Sequence, residues 1–250
     1  MRVLYHGSAT LKAHGFAELD DSIRSLLKKI GDEIVELKDE KPMTDVLFNL
    51  GYREQAKEVG LAIKKEAEAL KPDLMISAYG VTPYVWEFSF PETFDFKMSF
   101  PVLHIGEYLQ RAIGDKKLKF KETEMKKVFL HHGCTPARKL NIIEQPRHFY
   151  NQIPNLEYIE LNTPPVDIEG EDPAKWTTCT GVWQNMTLDD EMACYVCNNM
   201  LRREVDRDDV EAVATTCACA YKGLVQGLSK GEHKLKPLYF TELIEEAWRD

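Results

Sequence analysis

The chain has 250 residues and a mass of 28.8 kDa, a length that accommodates one large domain or two small ones. Its net charge of −9 is poorly matched to a polyanion, which argues against nucleic-acid binding. No apolar run reaches the ~18 residues that a membrane-spanning helix needs, and the first residues are typical of a β-strand, without a signal-peptide pattern. We therefore expect a cytoplasmic protein with reduced thiols, whose contact with any membrane comes through partner subunits.

The first half of the chain alternates predicted strands and helices. In chain order we predict a strand at Val3–Tyr5 that runs into His6-Gly7-Ser8, a helix at Ser22–Ile30 that ends at Gly31, a strand at Glu33–Leu37, an amphipathic helix at Tyr52–Leu70, a strand at Asp73–Ala78, and a proline-led segment entering a helix at Pro101–Leu109.

The second half repeats this order. It has a strand at Val128–Leu130 that runs into His131-His132-Gly133-Cys134, a helix at Pro146–Ile153, a strand at Leu156–Leu161, a helix at Leu188–Val205, a strand at Val210–Thr215, and a proline-led segment at Pro237–Trp248. Strands alternating with helices of this length predict parallel βαβ units. The sequence thus predicts an α/β fold with two pseudo-symmetric, Rossmann-like halves, residues 1–119 and 120–250.

All six cysteines lie in the second half. They are Cys134, Cys179, Cys194, Cys197, Cys217 and Cys219. In a reducing compartment, such a concentration of thiols indicates metal or redox chemistry more than disulfide bonds. The alternative is that the cysteines are small buried apolar residues that bind nothing.

Four of these thiols are expected at one edge of the second sheet. Cys134 follows its first strand, Cys217 and Cys219 follow its third, and Cys179 lies in a loop before the long helix. The carboxyl ends of parallel strands share one edge, where sites form in open α/β sheets. Iron–sulfur clusters and structural zinc both take four thiolates, or three thiolates and a histidine. The sequence therefore predicts a metal site in the C-terminal half.

The thiols belong to three short motifs, His132-Gly133-Cys134, Cys179-Thr180-Gly181 and Cys217-Ala218-Cys219. Together they resemble the cysteine-rich CCG domain, which occurs in a subunit of heterodisulfide reductase, in the extra subunit of some succinate dehydrogenases, and in the iron–sulfur subunits of lactate and glycolate oxidases. That family usually carries its motif twice in tandem. The 35 residues from 182 to 216 match the family interval between Cys-Cys-Gly and the closing cysteines.

The sequence departs from the family pattern in both halves. The first half has Ser8 in place of the first cysteine and Tyr79-Gly80-Val81-Thr82 in place of the closing pair, so it resembles a degenerate copy. In the second half, Thr180 replaces one cysteine of Cys-Cys-Gly, and the closing pair has C-x-C spacing.

The resemblance implies a subunit of a heterodisulfide-reductase-like oxidoreductase complex, with ferredoxin-like iron–sulfur or flavin subunits as partners. It implies a [4Fe–4S] cluster, cubane or non-cubane, that passes electrons to a disulfide or persulfide substrate. The implied ligands are Cys134, Cys179, Cys217 and Cys219. From its position on the predicted helix, Cys194 is a candidate fifth ligand that would stand in for the thiol missing at Thr180. His132 would donate a proton, and Thr178 and Thr180 would donate hydrogen bonds to the cluster.

Other interpretations stay open at this point. The site could hold zinc in a non-catalytic subunit that assembles a quinone-linked dehydrogenase such as succinate dehydrogenase, or that transfers electrons within it. Cys194 and Cys197, three positions apart on a predicted helix, could pack in the core or complete the cluster. The aromatic-rich segment Tyr84–Phe100 has strand-like alternation at its start. It could pack over the core as a loop, contact a membrane surface, or form an interface with a partner subunit, and of the two contact surfaces we favour the partner interface.

Overall fold

The computed structural model describes residues 1–38, 40, 44–113, 119–160, 170, 172–177, 179–180, 190–204, 209–230 and 233–249. The chain forms two compact units, Met1–Asp115 and Lys116–Asp250. Each unit contains a four-stranded parallel sheet with helices around it. The predicted α/β fold with two halves is therefore confirmed.

The strands of the N-terminal unit are β1 (Arg2–His6), β2 (Glu33–Val35), β3 (Leu74–Ser77) and β4 (Val102–His104). They lie side by side in the order β2-β1-β3-β4. Its helices are α1 (Ser8–Ala13), α2 (Ala17–Ile30), α3 (Thr44–Asn49), α4 (Arg53–Ala69), α5 (Val81–Tyr84), α6 (Phe90–Phe94) and α7 (Ile105–Ile113), with a π-helical turn at Val85–Ser89 between α5 and α6.

The strands of the C-terminal unit are β5 (Lys127–His131), β6 (Glu157–Glu160), β7 (Ala212–Thr215) and β8 (Lys236–Tyr239). They lie in the equivalent order, β6-β5-β7-β8. Its helices are α8 (Cys134–Leu140), α9 (Glu144–Tyr150), α10 (Asp190–Glu204), α11 (Ala218–Lys230) and α12 (Phe240–Ala247), with a 3₁₀ turn at Pro173–Trp176.

The strand order brings the first and third strands of each unit side by side. Val128–Leu130 in β5 and Ala212–Ala214 in β7 are almost completely buried, as expected for strands covered on both faces. The connections leave β5 and β7 in opposite directions along the sheet, so the carboxyl ends of these two strands flank a topological switch point. Such points form the ligand crevices of open α/β sheets.

Two expectations about local structure need correction. The segment Tyr84–Phe90 is helical, not strand-like, because the i, i+4 spacing of Trp86 and Phe90 puts both side chains on one buried face. Their rings pack edge to face at 5.0 Å inside the N-terminal unit, so most of this aromatic segment is core, although Phe88 remains 46% exposed. The proline-led segments each begin with a short strand, β4 or β8, before their helix.

Of the helices within the described ranges, none combines the length and apolarity that crossing a bilayer requires.

Candidate metal centre

Three separate segments carry thiols to the carboxyl edge of the C-terminal sheet. Cys134 is the first residue of α8, directly after β5 and the Gly133 turn. Cys217 and Cys219 lie at the start of α11, directly after β7. Cys179 follows the 3₁₀ turn. Cys217 is buried, whereas the other three are half-buried and reachable from solvent.

Two pairwise thiol contacts organise the edge. The thiols of Cys179 and Cys134 are hydrogen-bonded to each other, as are those of Cys219 and Cys217. The two pairs are neighbours, since Cys217 lies close enough to Cys134 for the charge of Cys134 to affect its pKa. Gly133 makes this approach possible: its φ is +69°, and a Cβ there would lie 2.5 Å from the Cβ of Cys217.

The surroundings of Cys134 favour its thiolate. The hydrogen bond from Cys179 lowers the pKa of Cys134 to about 5, against the effect of burial, with help from the Thr135 hydroxyl and the Arg138 charge. The hydrogen bond from Cys219 likewise lowers the pKa of Cys217, although burial and the charge of Cys134 oppose it. A thiolate is the form that binds metals.

The helical cysteines occupy a different environment. Cys197 is completely buried in an apolar cluster with Phe129, Met200 and Leu224, and burial raises its pKa to about 12. Cys194 lies one turn earlier and is also buried. Within the described contacts, Cys194 interacts with Cys197 and is not joined to the four edge thiols. Its assignment as a fifth ligand therefore stays a prediction.

His132 is fully buried beside the thiol edge. Its Nε2 lies 3.1 Å from Oε1 of Glu160, at the end of β6, and its carbonyl accepts a hydrogen bond from the Thr216 hydroxyl. Its Nδ1 is buried and has no hydrogen-bond partner among the described residues. The neighbouring His131 instead contacts Thr215 on β7, with 3.1 Å between Nδ1 and Oγ1.

Thr178 and Thr180 were the two threonines predicted to donate hydrogen bonds to a cluster. Thr178 lies outside the described residues, whereas Thr180 is described and buried. Thr177 was not predicted, yet its fully buried hydroxyl has no hydrogen-bond partner in the described part of the chain. Three threonines lie within two positions of Cys179, so sequence position alone does not indicate which hydroxyl would be left to bond to a ligand.

An ion-pair network behind His132 was also missed. Burial disfavours the charged form of Glu160, but hydrogen bonds from Arg147 and His132 lower its pKa to about 2. Arg147 also pairs with Asp172, in the segment that leads to Cys179. Arginine and acidic residues are common on surfaces, so their sequence positions alone did not distinguish this network.

The donor set fits a thiolate-held iron–sulfur cluster in kind and in number, since such clusters are held by four cysteine thiolates. Two of the four thiols also have lowered pKa values. Among the residues that the structure describes, no three His, Cys, Asp or Glu side chains are grouped tightly enough to hold a single metal ion.

Comparison with known proteins gives a distant similarity to a component of a redox complex. Over 66 residues, 26% of this chain, the sequence is 30% identical to the D-type subunit of dihydromethanophenazine:CoB–CoM heterodisulfide reductase from Methanosarcina acetivorans. The same subunit of Methanosarcina mazei is 27% identical over an equal length. The matched stretch spans 16% of the length of either relative. No protein-family model matches the chain, so the resemblance to heterodisulfide reductase is supported in part, without a CCG-domain match.

Solved structures give a still weaker similarity. Glutamate racemase RacE1 of Bacillus anthracis aligns over 97% of this chain and 77% of its own, with a TM-score of 0.40 and 12% identity. A protein described as an Asp/Glu racemase from Yersinia pestis aligns over 98% and 96%, with the same TM-score and identity. Neither similarity is high enough to bear on function.

Proposed function

We propose that the chain is a subunit of a heterodisulfide-reductase-like redox complex, and that its C-terminal unit holds an iron–sulfur cluster. The ligands would be Cys134, Cys179, Cys217 and Cys219. The observation that carries this proposal is the presence of two neighbouring thiol pairs, Cys134 with Cys179 and Cys217 with Cys219, at the switch point of the C-terminal sheet. The distant similarity to the D-type subunit of heterodisulfide reductase supports the same assignment.

Within this proposal, the protein supplies ready thiolates. Bound there, a [4Fe–4S] cluster of cubane or non-cubane form supplies one-electron transfer. Cys134, with its pKa near 5, is deprotonated at neutral pH and does not need to lose a proton to become a ligand. The buried hydroxyls of Thr177 and Thr180 provide hydrogen-bond donors close to Cys179, and such donors tune the potential of cluster sulfur. Cys194 is the candidate fifth ligand.

His132 is proposed as the proton donor. Reductive cleavage of a disulfide consumes two electrons and two protons and releases two thiols. Partner subunits, of the ferredoxin-like iron–sulfur or flavin kind, would supply the electrons. Glu160 holds the ring of His132 through Nε2 and leaves Nδ1 as the nitrogen that can deliver a proton to a departing thiolate. We place the complex in the cytoplasm, with any membrane contact made by its partners.

The test uses the complex purified anaerobically with its natural partners. Disulfide-dependent oxidation of a reduced viologen dye is measured for the wild type, for Cys134→Ala and for Ser8→Ala. Cys134→Ala should lose at least 90% of the activity, whereas Ser8→Ala, the equivalent change in the N-terminal unit, should keep it. Unchanged activity in Cys134→Ala would overturn the proposal. A colourless wild type with one zinc per chain would assign the protein to the non-catalytic, zinc-binding alternative.

A further inference from the structure

One guanidinium group connects two of the segments that carry thiols. Arg147, on α9, donates from Nε and Nη2 to the two carboxylate oxygens of Glu160, at 2.5 and 2.7 Å. It also donates from Nη1 and Nη2 to the two oxygens of Asp172, at 2.5 and 3.0 Å. Both contacts are bidentate, the geometry in which arginine–carboxylate pairs are strongest and most directional. The Arg147 side chain is 19% exposed, so water screens these contacts only in part.

The first of these carboxylates leads to Cys134. Glu160 accepts from Arg147 and faces His132 Nε2 with the same Oε1. His132 is two positions before Cys134, and the Thr216 hydroxyl holds its carbonyl. The orientation of the His132-Gly133 turn, and with it the start of α8, therefore depends on where Arg147 holds Glu160.

The second carboxylate leads to Cys179. Asp172 caps the 3₁₀ turn Pro173–Trp176, since its Oδ1 accepts from the Ala174 amide at 2.9 Å. Ala174 is fully buried and packs with Ala137, on the helix that Cys134 begins. The turn continues through the buried Thr177 to Cys179. Asp172 thus fixes the turn from which Cys179 approaches the edge.

We propose that Arg147 is the positioning residue that holds Cys179 beside Cys134, because it binds Glu160 and Asp172 at the same time. The inference concerns the site of the proposed function, but it can be tested on the cysteines alone, without a cluster. Lysine can replace arginine only in part in this role, since its ammonium group keeps the charge but lacks the planar fork that serves two carboxylates bidentately.

The N-terminal unit offers a matched control residue. Arg24, on α2, is buried to the same degree, with 18% exposure, and binds Asp20 at 2.7 Å and Glu36 at 2.5 Å. It also donates to the hydroxyl of Ser8, the residue that takes the place of a cysteine there. Loss of Arg24 removes a comparable network from a part of the molecule without thiols.

The experiment measures how fast the two thiols can be joined in metal-free protein. Diamide takes two electrons and two protons from a neighbouring thiol pair, and peptide mass spectrometry counts the Cys134–Cys179 disulfide. We expect Arg147→Met to slow its formation at least tenfold, Arg147→Lys to slow it less, and Arg24→Met to leave it unchanged. Cys197, completely buried, reports folding, because it stays protected from iodoacetamide while the C-terminal unit is intact.

A wild-type rate in Arg147→Met with Cys197 still protected would overturn the inference. If Arg147→Met exposes Cys197, the Asp172→Asn variant is tested instead, because it weakens only one of the two carboxylate contacts of Arg147. That variant must then slow disulfide formation in a folded protein, and a wild-type rate there would equally overturn the inference. Failure of the proposed function would look different: the wild type would form the disulfide readily but bind no iron after anaerobic reconstitution.

Discussion

At the carboxyl edge of its sheet, the N-terminal unit places Ser8 and Tyr79 where the C-terminal unit places Cys134 and Cys217. Gly7 turns the chain after β1 with φ +103°, and a Cβ there would meet the ring of Tyr79 at 3.1 Å. Gly133 makes the equivalent turn against Cys217. In both units, therefore, the ends of the first and third strands lie close together, but only the C-terminal unit has thiols there.

The supporting side chains are alike in the two units. The histidine of each His-Gly pair faces a glutamate: His6 Nδ1 lies 2.8 Å from Glu40, and His132 Nε2 lies 3.1 Å from Glu160. In the N-terminal unit that carboxylate also accepts from the Gly7 and Ala9 amides and so covers the edge itself. The histidine–glutamate contact is therefore common to both units, whereas the chemistry of the edge depends on a few residues at the strand ends.

The largest expected contrast is in thiol reactivity. In metal-free protein, iodoacetamide should modify Cys134 at a rate that rises with pH through about 5 and is level above pH 7, because the thiolate is then fully formed. Cys197, with its pKa raised to about 12 by burial, should react at least a thousandfold more slowly at pH 7. Peptide mass spectrometry measures both sites. A Cys134 rate still rising steeply at pH 8.5 would contradict the thiolate assignment.

Next in size is the effect of a methyl group at the tight turn. Gly133→Ala adds backbone strain of about 1–3 kcal/mol and forces a contact with Cys217 that costs about 1–3 kcal/mol more. We expect a corresponding loss in the free energy of unfolding and a displaced Cys217. In Gly7→Ala the strain remains, but the ring of Tyr79 can yield to a Cβ at 3.1 Å, so that loss should be smaller. Urea unfolding measures both, and equal losses would refute the difference in packing.

One carboxyl group in each unit should change its contribution to stability with pH, and the two changes should have opposite signs. Burial raises the pKa of Asp45 in the N-terminal unit from 3.8 to about 6, so the folded state holds this proton more tightly. Its contribution to stability should fall by about 3 kcal/mol as the pH rises from 4 to 6. Urea titration should show that Asp45→Asn abolishes this decline. An unchanged slope in the variant would show that another group is responsible.

Glu160 should act in the other direction. Its pKa is lowered from 4.5 to about 2, so its contribution is fully present above pH 4.5 and is lost as the pH falls toward 2. The loss should amount to about 3 kcal/mol. Glu160→Gln should flatten the pH dependence below 4.5 in the same urea titration. If the variant loses stability on acidification as steeply as the wild type does, the assignment to Glu160 is wrong.

The smallest contrast concerns two helix glycines. A Cβ on Gly227, in α11, would lie 2.5 Å from the sulfur of Cys197, whereas one on Gly60, in α4, would lie 3.0 Å from the ring of Phe90. Overpacking of this kind costs about 1–3 kcal/mol, and we expect Gly227→Ala near the upper figure and Gly60→Ala near the lower. Thermal unfolding measures the loss of stability in each variant. A larger loss in Gly60→Ala than in Gly227→Ala would contradict this prediction.

The sequence was sufficient for the fold because apolar strands such as Val128–Leu130 and the repeat between the halves are local signals. It also indicated the edge at which Cys134, Cys217 and Cys219 lie, since each of them follows a predicted strand, whereas Cys179 was expected there as a loop residue before the long helix. The network of Arg147 with Glu160 and Asp172 was not predictable. Its members lie up to 25 residues apart and meet only after folding.

The helical conformation of Tyr84–Phe90 was missed for a different reason. Aromatic residues at alternate positions are typical of a strand, but tertiary packing of Trp86 and Phe90 into the core decided the conformation. The buried Thr177 hydroxyl, which has no partner among the described residues, could not be identified either, because an unsatisfied buried donor is a property of the folded environment.

The most direct test of the account is the iron and acid-labile sulfide content of the anaerobically purified protein. We predict roughly four irons with matching sulfide per chain, lost in Cys134→Ala and retained in Ser8→Ala. An iron-free wild type, or equal iron in wild type and Cys134→Ala, would contradict the assignment of a cluster to the C-terminal unit.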